Sequence, residues 1–186
     1  DGGTAIIGAP SNDSNGDGSG HARIYTWTGT GWLVDGDWVQ QGKDIDGEAS
    51  ENSGYSVALS ADGLTAIIGA PGDFSGQSGQ ARIVVSRSAA YISPAEIVGE
   101  VEDDYSGWSV ALSADGGTAI VGAPYDRIGG AVGYARIYTW TGAGWELQQK
   151  IYGEFAGDRF GSSVALSADG RTAIIGAPWV NGAYSR

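Results

Sequence analysis

The run Asp13-Ser-Asn15-Gly-Asp17-Gly18 sets side-chain oxygens at alternate positions ahead of a glycine. Alternation of this kind lets Asp13, Asn15 and Asp17 converge on one calcium ion, because the glycine permits the bend that gathers them. The pattern then breaks. Its ninth position is His21 and its twelfth is Ile24, where a complete loop carries a bidentate Glu. The corresponding segments 72–80 and 125–134 lack the run. Asp13, Asn15 and Asp17 are thus the candidate metal ligands, weighed against an ordinary Asn/Asp/Gly turn. Calcium is the one cofactor the sequence nominates. Asn12-Asp13-Ser14 also spells a glycosylation acceptor, whose sugar would crowd such an ion.

Catalytic chemistry finds little footing. There is no Cys, and the single histidine, His21, reads as a loop residue with no spacing that joins it to a Ser and an Asp. The pair Asp103–Asp104 suits glycoside hydrolysis in type, but among 22 Asp and Glu an adjacent pair carries little weight. The expectation is a non-enzymatic chain. Lys and Arg number only 10, for a net charge of −12. That balance excludes nucleic acid, whose phosphates require a basic surface, and disfavours anionic lipid. No apolar run reaches the roughly 20 residues of a membrane-spanning helix, so no membrane insertion is expected.

The elements that must position these residues are repeats. Asp1–Pro10, with the core Thr-Ala-Ile-Ile-Gly-Ala-Pro, returns as Asp62–Pro71, Asp115–Pro124 and Asp169–Pro178. Ser-Val-Ala-Leu-Ser precedes the last three copies at 56–60, 109–113 and 163–167. Ala22–Trp27 is matched by Ala135–Trp140 and more loosely by 81–86, and Trp38-Val-Gln-Gln41 by Trp145-Glu-Leu-Gln-Gln149 with one residue added. Each block is short, rich in β-branched and aromatic residues, and bounded by Gly, Asp, Pro or Ser, which is the grammar of strands. Asp-Gly at 62–63, 115–116 and 169–170 marks tight hairpins. One unit therefore reads as strands A (SVALS), B (TAIIGAP), C (ARIYTW) and D (WELQQKI). Four antiparallel strands recurring at this period make a β-propeller blade.

The expected fold is all-β: an incomplete β-propeller of about three four-stranded blades plus one strand. Strands B–C–D of a first blade fall in 1–46, a second blade in 47–99, a third in 100–152, and strands A–B of a fourth in 153–186. Propellers usually close with four to eight blades. Further blades of the same polypeptide, or other copies of it, are therefore expected as partners. Methionine is absent, which fits a processed chain or a piece of a longer one.

Alternation of strands sends the B–C and D–A loops to one face, and most of the acids fall in those loops. That face is expected to be acidic, either as a cation-dependent binding surface or simply as a solvated one. Arg23, Arg82 and Arg136 recur at the start of strand C, and Glu51, Asp104 and Asp158 near the start of strand A. They suggest structural ion pairs. Of the seven Trp residues, Trp27/Trp140 and Trp38/Trp145 recur and are assigned to blade packing. Trp32 and Trp179 lie in loops and are the candidate contacts for a protein or glycan partner.

Phe160-Gly-Ser-Ser-Val164 followed by Ile174-Ile-Gly-Ala-Pro178 resembles the FG-GAP repeat of integrin α-subunit propellers and their microbial relatives. The resemblance spans essentially the whole chain. Gly-Ala-Pro occurs four times, whereas Phe-Gly is intact once. The other copies read Ser53-Gly54 and Ser106-Gly107, with Tyr55 and Trp108 supplying a nearby aromatic. The resemblance implies calcium in the A–B hairpins. Here that connection is only Ser-Ala-Asp-Gly, one carboxylate where calcium needs six or more oxygens, so those sites do not transfer. The Ile-Tyr-Thr-Trp and Trp-x-x-Gln-Gln elements look closer to secreted microbial and algal variants. These imply an extracellular or cell-surface module for adhesion, protein binding or assembly. The alternatives they imply are a carbohydrate-binding module or a propeller appended to a larger secreted enzyme.

Overall fold

A computed structural model describes residues 3–29, 36–72, 78–87, 90–125 and 132–179 of the chain. Its described elements are all β-strands. The first sheet holds β1 (Thr4–Ala9), β2 (His21–Trp27), β3 (Trp38–Gln40) and β4 (Ile45–Asp46). The second runs in the order β5 (Ser56–Leu59), β6 (Thr65–Ala70), β7 (Gln80–Arg87), β8 (Ala90–Val98). The third repeats it with β9 (Ser109–Leu112), β10 (Thr118–Ala123), β11 (Tyr134–Trp140) and β12 (Trp145–Tyr152). A two-stranded sheet, β13 (Ser163–Leu166) and β14 (Ala173–Gly176), follows. All these pairings are antiparallel. This is the all-β architecture expected, an incomplete series of propeller blades.

Strand B is apolar on both faces because each inner blade is sandwiched. Ala66, Ile67, Ile68, Gly69 and Ala70 are all buried in β6, and β10 repeats the pattern. Ile67 packs toward the third blade with Ile83, Val110, Ala119 and Val121. Ala66 and Ile68 pack toward the first, with Ala22, Ile24 and Val84. Each such Ile contributes roughly 1.5–3 kcal/mol by leaving water. On β1 and β14 the same positions are open, Ile7 at 57% and Ile174 at 71% exposure. The residue added in strand D of the third blade is a β-bulge: Ile137 faces Gln149, Tyr138 faces Leu147, and Gln148 is left over.

The blades interlock through glycine. In β6, a Cβ on Gly69 would stand 2.0 Å from the carbonyl oxygen of Gly107 at the start of the next blade. Gly8 against Gly54 and Gly122 against Gly161 repeat this approach, at 1.9 and 2.1 Å. Beside it, Ser56 Oγ donates to the Gly107 carbonyl and Ser109 Oγ to that of Gly161, both at 2.8 Å. The Gly of Gly-Ala-Pro and the Gly after Ser or Phe are therefore two halves of one contact.

The A–B hairpins are locked by their acids. Ser113 Oγ donates to Asp115 Oδ1, which also accepts from Gly117 N at 2.9 Å, while Thr118 N donates to Ser113 Oγ at 2.9 Å. Ser60/Asp62 and Ser167/Asp169 repeat the arrangement. Successive hairpins join directly, Ala61 N donating to Ala114 O and Ala114 N to Ala168 O.

Two outcomes follow. Gly69→Ala has the Gly107 backbone in its way as well as the Ser56 hydroxyl, so it must part the second and third blades. The expected loss is about 1–3 kcal/mol or more, read as a lowered urea midpoint. The Ser113 hydroxyl first, then the Gly117 amide, hold the Asp115 carboxyl below its ordinary range, and Asp62 and Asp169 are lowered likewise. A folded pKa below the unfolded value of about 3.9 gives stability that is present above about pH 4 and is lost as pH falls below it. Asp115→Asn should thus flatten the acid limb of a stability-versus-pH curve while lowering stability at neutral pH.

Candidate functional site

The B–C and D–A loops form the candidate face; Asp13, Asp17, Asp46, Glu48, Glu100, Glu102 and Glu154 are exposed on it, while a smaller set of its acids is turned inward. Asp104 is fully buried. Its Oδ1 accepts from Ser106 N at 2.9 Å and Gly79 N at 3.3 Å. Its Oδ2 accepts from Glu100 N at 2.7 Å, Val101 N at 3.4 Å and the Tyr134 hydroxyl at 2.5 Å. Burial first, then donation to this carboxylate, pushes the Tyr134 hydroxyl far above the phenol range. Asp158 repeats the role, accepting from the backbone of Glu154, Phe155 and Phe160. Glu51 accepts from Glu48 N at 2.7 Å, and from Gln80 and Arg82. A loop that reverses direction exposes amides with no ladder partner, and a carboxylate gathers several at once. These three acids hold the loops in shape, while the exposed acids of the same loops stay at the surface.

The recurring arginines divide. Arg82 meets Glu51 at 2.7 Å as expected. Arg136 instead donates to Ser106 Oγ and the Val98 carbonyl, with Glu100 at 3.9 Å, because Asp104 is saturated by its own loop. Arg23 forms a two-pronged pair with Asp44 at 2.9 and 2.7 Å. That pair holds the Asp44 carboxyl down at about 2. The recurring tryptophans differ from expectation in part. Trp27 stands across from Trp38, and Trp140 from Trp145, as cross-strand pairs within one hairpin, with ring centroids 5.7 and 6.0 Å apart. Trp38 and Trp140 are well exposed and clasp the C–D hairpins, while Trp145 also packs against the cluster between the second and third blades, as expected of a blade-packing residue.

Aromatic rings are displayed outward on the same face. Tyr55 and Trp108, each just before a strand A, have ring centroids 4.7 Å apart. Trp108 contacts Tyr125 at 5.5 Å, and Tyr105 closes a triangle beneath them. The Arg159 guanidinium lies 4.7 Å from the Tyr125 ring and 4.5 Å from that of Trp179. Tyr125 and Trp179 occupy one repeat position, the residue after Gly-Ala-Pro. The result is an aromatic band held together by ring contacts and one arginine, and crossing three blades. Its most exposed members are Tyr55 at 43% and Trp179 at 55%. Trp179 was expected as a contact residue; Tyr125 and Arg159 were not. Trp32 lies outside the described residues.

In the Asp13–Gly18 loop, Asp13 Oδ1 accepts from Gly18 N at 2.9 Å and Asn15 Nδ2 donates to the Gly47 carbonyl at 2.7 Å. Asp17 is exposed, and its carbonyl accepts from Ser50 N. His21, expected in a loop, begins β2 directly opposite Asp46 and is buried.

With the fold and the glycine interlock in view, comparison with known proteins is decisive at the level of family. The FG-GAP repeat model matches residues 38–84, 100–138 and 145–185, more than half of the chain. The chain belongs to the FG-GAP repeat family. Human integrin alpha-D is 31% identical over 155 residues, covering 79% of this chain and 13% of that protein. Human integrin alpha-X is 27% identical over 146 residues, covering 70% and 12%. The chain thus spans about an eighth of each of these relatives. A solved structure of a candidate 6-phosphogluconolactonase from Bacteroides uniformis aligns with TM-score 0.51 at 12% identity, over 92% of this chain and 47% of that one. That likeness shows the fold alone. Among the described residues, no helix is long and apolar enough to cross a membrane. In this FG-GAP chain the family's two glycines meet between blades, which explains why Ser can stand for Phe while the following Gly stays.

Removing the buried carboxylate tests the loop architecture. Asp104→Ala orphans four backbone amides and the Tyr134 hydroxyl, and should cost at least about 2–3 kcal/mol. Tyr134→Phe should cost only about 1 kcal/mol. Thermal unfolding measures both, and hydrogen exchange should show the loss starting at the amides of Glu100 and Ser106.

Proposed function

We propose that this chain is a non-catalytic, extracellular propeller module that binds a protein partner through its B–C and D–A loop face. The observation that carries the reading is the band of Tyr55, Trp108, Tyr125, Arg159 and Trp179. Exposed Tyr and Trp beside Arg, on a rigid scaffold, have the composition of interaction hot spots: large contact area, few rotors to freeze, and a polar handle. The integrin relatives support an adhesion-type module, and kinship with them supports the extracellular assignment. Further blades or copies of the chain extend the same face. The outward arrangement of the band favours binding over turnover, since it gathers ring faces and gathers no acid–base pair.

Carbohydrate binding is the second reading, favoured by the exposed indole of Trp179, since a flat ring suits a sugar face as well as a side chain. Trp32, which falls in the C–D connection and outside the described residues, is kept as a candidate contact for either partner. Calcium on Asp13, Asn15 and Asp17 would stiffen the first B–C loop beside this face. Asn15 keeps its Oδ1 available while its amide nitrogen serves Gly47.

The test presents immobilised protein to a panel of purified extracellular-matrix proteins and to an oligosaccharide array. Retention of a protein ligand, weakened about tenfold or more by Trp179→Ala and by Arg159→Ala, supports the reading. Retention of glycans alone establishes the second reading. Binding unchanged in both variants removes the band from the site. Substrate turnover by the chain overturns the non-catalytic assignment.

A further inference from the structure

A polar cluster on the first blade takes no part in that band. His21 on β2 faces Asp46 on β4 in direct register, so both side chains rise from the same side of the sheet. Arg23 lies two residues further along β2, on that same side, and grips Asp44. A ring nitrogen of His21 and carboxylate oxygens of Asp44 and Asp46 lie within 4.8 Å of one another. We propose that His21, Asp44 and Asp46 form a binding site for a divalent ion of the zinc class.

The first reason is the histidine. Its side chain is only 4% exposed, and its Nδ1 is buried without a hydrogen-bond partner among the described residues. Buried polar atoms in folded proteins nearly always find a partner, and here the ring sits against two carboxylates with none of its hydrogen-bonding capacity used on them. An ion held between ring and carboxylates would give the imidazole a partner that the described residues do not supply.

The second reason is the spare capacity of the acids. Asp44 Oδ1 accepts from Arg23 Nε and from Gln40 Nε2, and Oδ2 accepts from the other Arg23 prong. A carboxylate has about four lone-pair directions, so one on Oδ2 remains. Arg23 and Gln40 then do what outer partners of metal ligands do: they fix the carboxylate's orientation and keep it ionised. The Asp46 carboxylate is exposed and accepts no hydrogen bond from the described residues; only its backbone carbonyl is engaged, by Arg82. Both acids line an open groove of about 710 Å³ together with Asn15, Glu48, Arg82 and Glu96, through which an ion and its water can arrive.

The donor set selects the ion. One imidazole and two carboxylates, with a fourth position left to water, suit zinc. Calcium requires six or more oxygens, which this site does not present. Ligand atoms around tetrahedral zinc stand roughly 3.3 Å apart, so the side chains must close inward slightly. The Asp46 side chain stands free at the surface of a two-residue strand and can make that adjustment. The ion would staple β4 to β2 just before the chain turns into the loop of Gly47, Glu48 and Glu51, and so hold the first D–A loop in place.

Calorimetric titration of the chelator-treated protein with zinc chloride, with magnesium and calcium chloride in parallel, tests this. The expected result is one zinc per chain, a melting temperature raised by zinc and not by the other two ions, and at least tenfold weaker binding in His21→Gln and in Asp46→Asn. Circular dichroism confirms that each variant is folded. Should His21→Gln fail to fold, Asp46→Asn, altered only at an exposed side chain, still decides. Asp13→Ala/Asp17→Ala should leave zinc binding unchanged, which separates this site from the loop assigned to calcium. Absence of stoichiometric zinc binding, zinc binding retained in Asp46→Asn, or calcium bound equally well at these residues would overturn the proposal.

Discussion

Where one blade meets the next, the carbonyl of Gly54, Gly107 or Gly161 sits where the side chain of Gly8, Gly69 or Gly122 would begin. Everything else in the stack is arranged around that approach. The backbones come close enough for Ser56 and Ser109 hydroxyls to donate across the junction. The Ile side chains of strand B then interleave with those of the neighbouring blades at the density of a protein interior. A single methyl group at the contact would force the sheets apart and open the Ile67 and Ile68 clusters on either side. The sequence repeat is thus the repetition of a steric constraint, with apolar packing as its beneficiary.

Polar groups solve a second problem that the stacked sheets create. Each blade must send its chain back to the next one through a tight loop whose amides have left the ladder. The chain meets this with one carboxylate per loop, Glu51, Asp104 and Asp158, each collecting several donors. This economy occupies Glu51, Asp104 and Asp158 within the loops, beside acids such as Asp46, Glu48 and Glu154 that stay exposed. The carboxylates nearest the loop turns are consumed internally, and the rings of Tyr55, Trp108 and Tyr125 are carried outward on the rigid loops they stabilise.

The blades were legible because their signals are local: β-branched runs, Asp-Gly turns and a repeated Gly-Ala-Pro. The aromatic band was half legible. Trp179 stands out in the sequence as a loop tryptophan, but Tyr125 at the same repeat position does not, because a lone Tyr after Pro carries no local signal. Arg159 was hidden for a related reason, since its partners come from two other loops. His21 and its acids were misjudged because strand D of the first blade is broken, with β4 only two residues long. A two-residue strand has no readable period, so the register that sets His21 opposite Asp46 could come only from the fold.

The hairpins opposite the aromatic band are joined backbone to backbone, Ala61 to Ala114 and Ala114 to Ala168. Their length is therefore shared property: a residue inserted in one would pull its amide away from the carbonyl of the next. Among the described residues the B–C loops show no such chain of bonds, and these loops differ from blade to blade in length and composition. Evolution of this chain has one side on which it is free to experiment and one on which it is not. New specificity should accumulate on the aromatic side, while the hairpin side keeps time for the repeat.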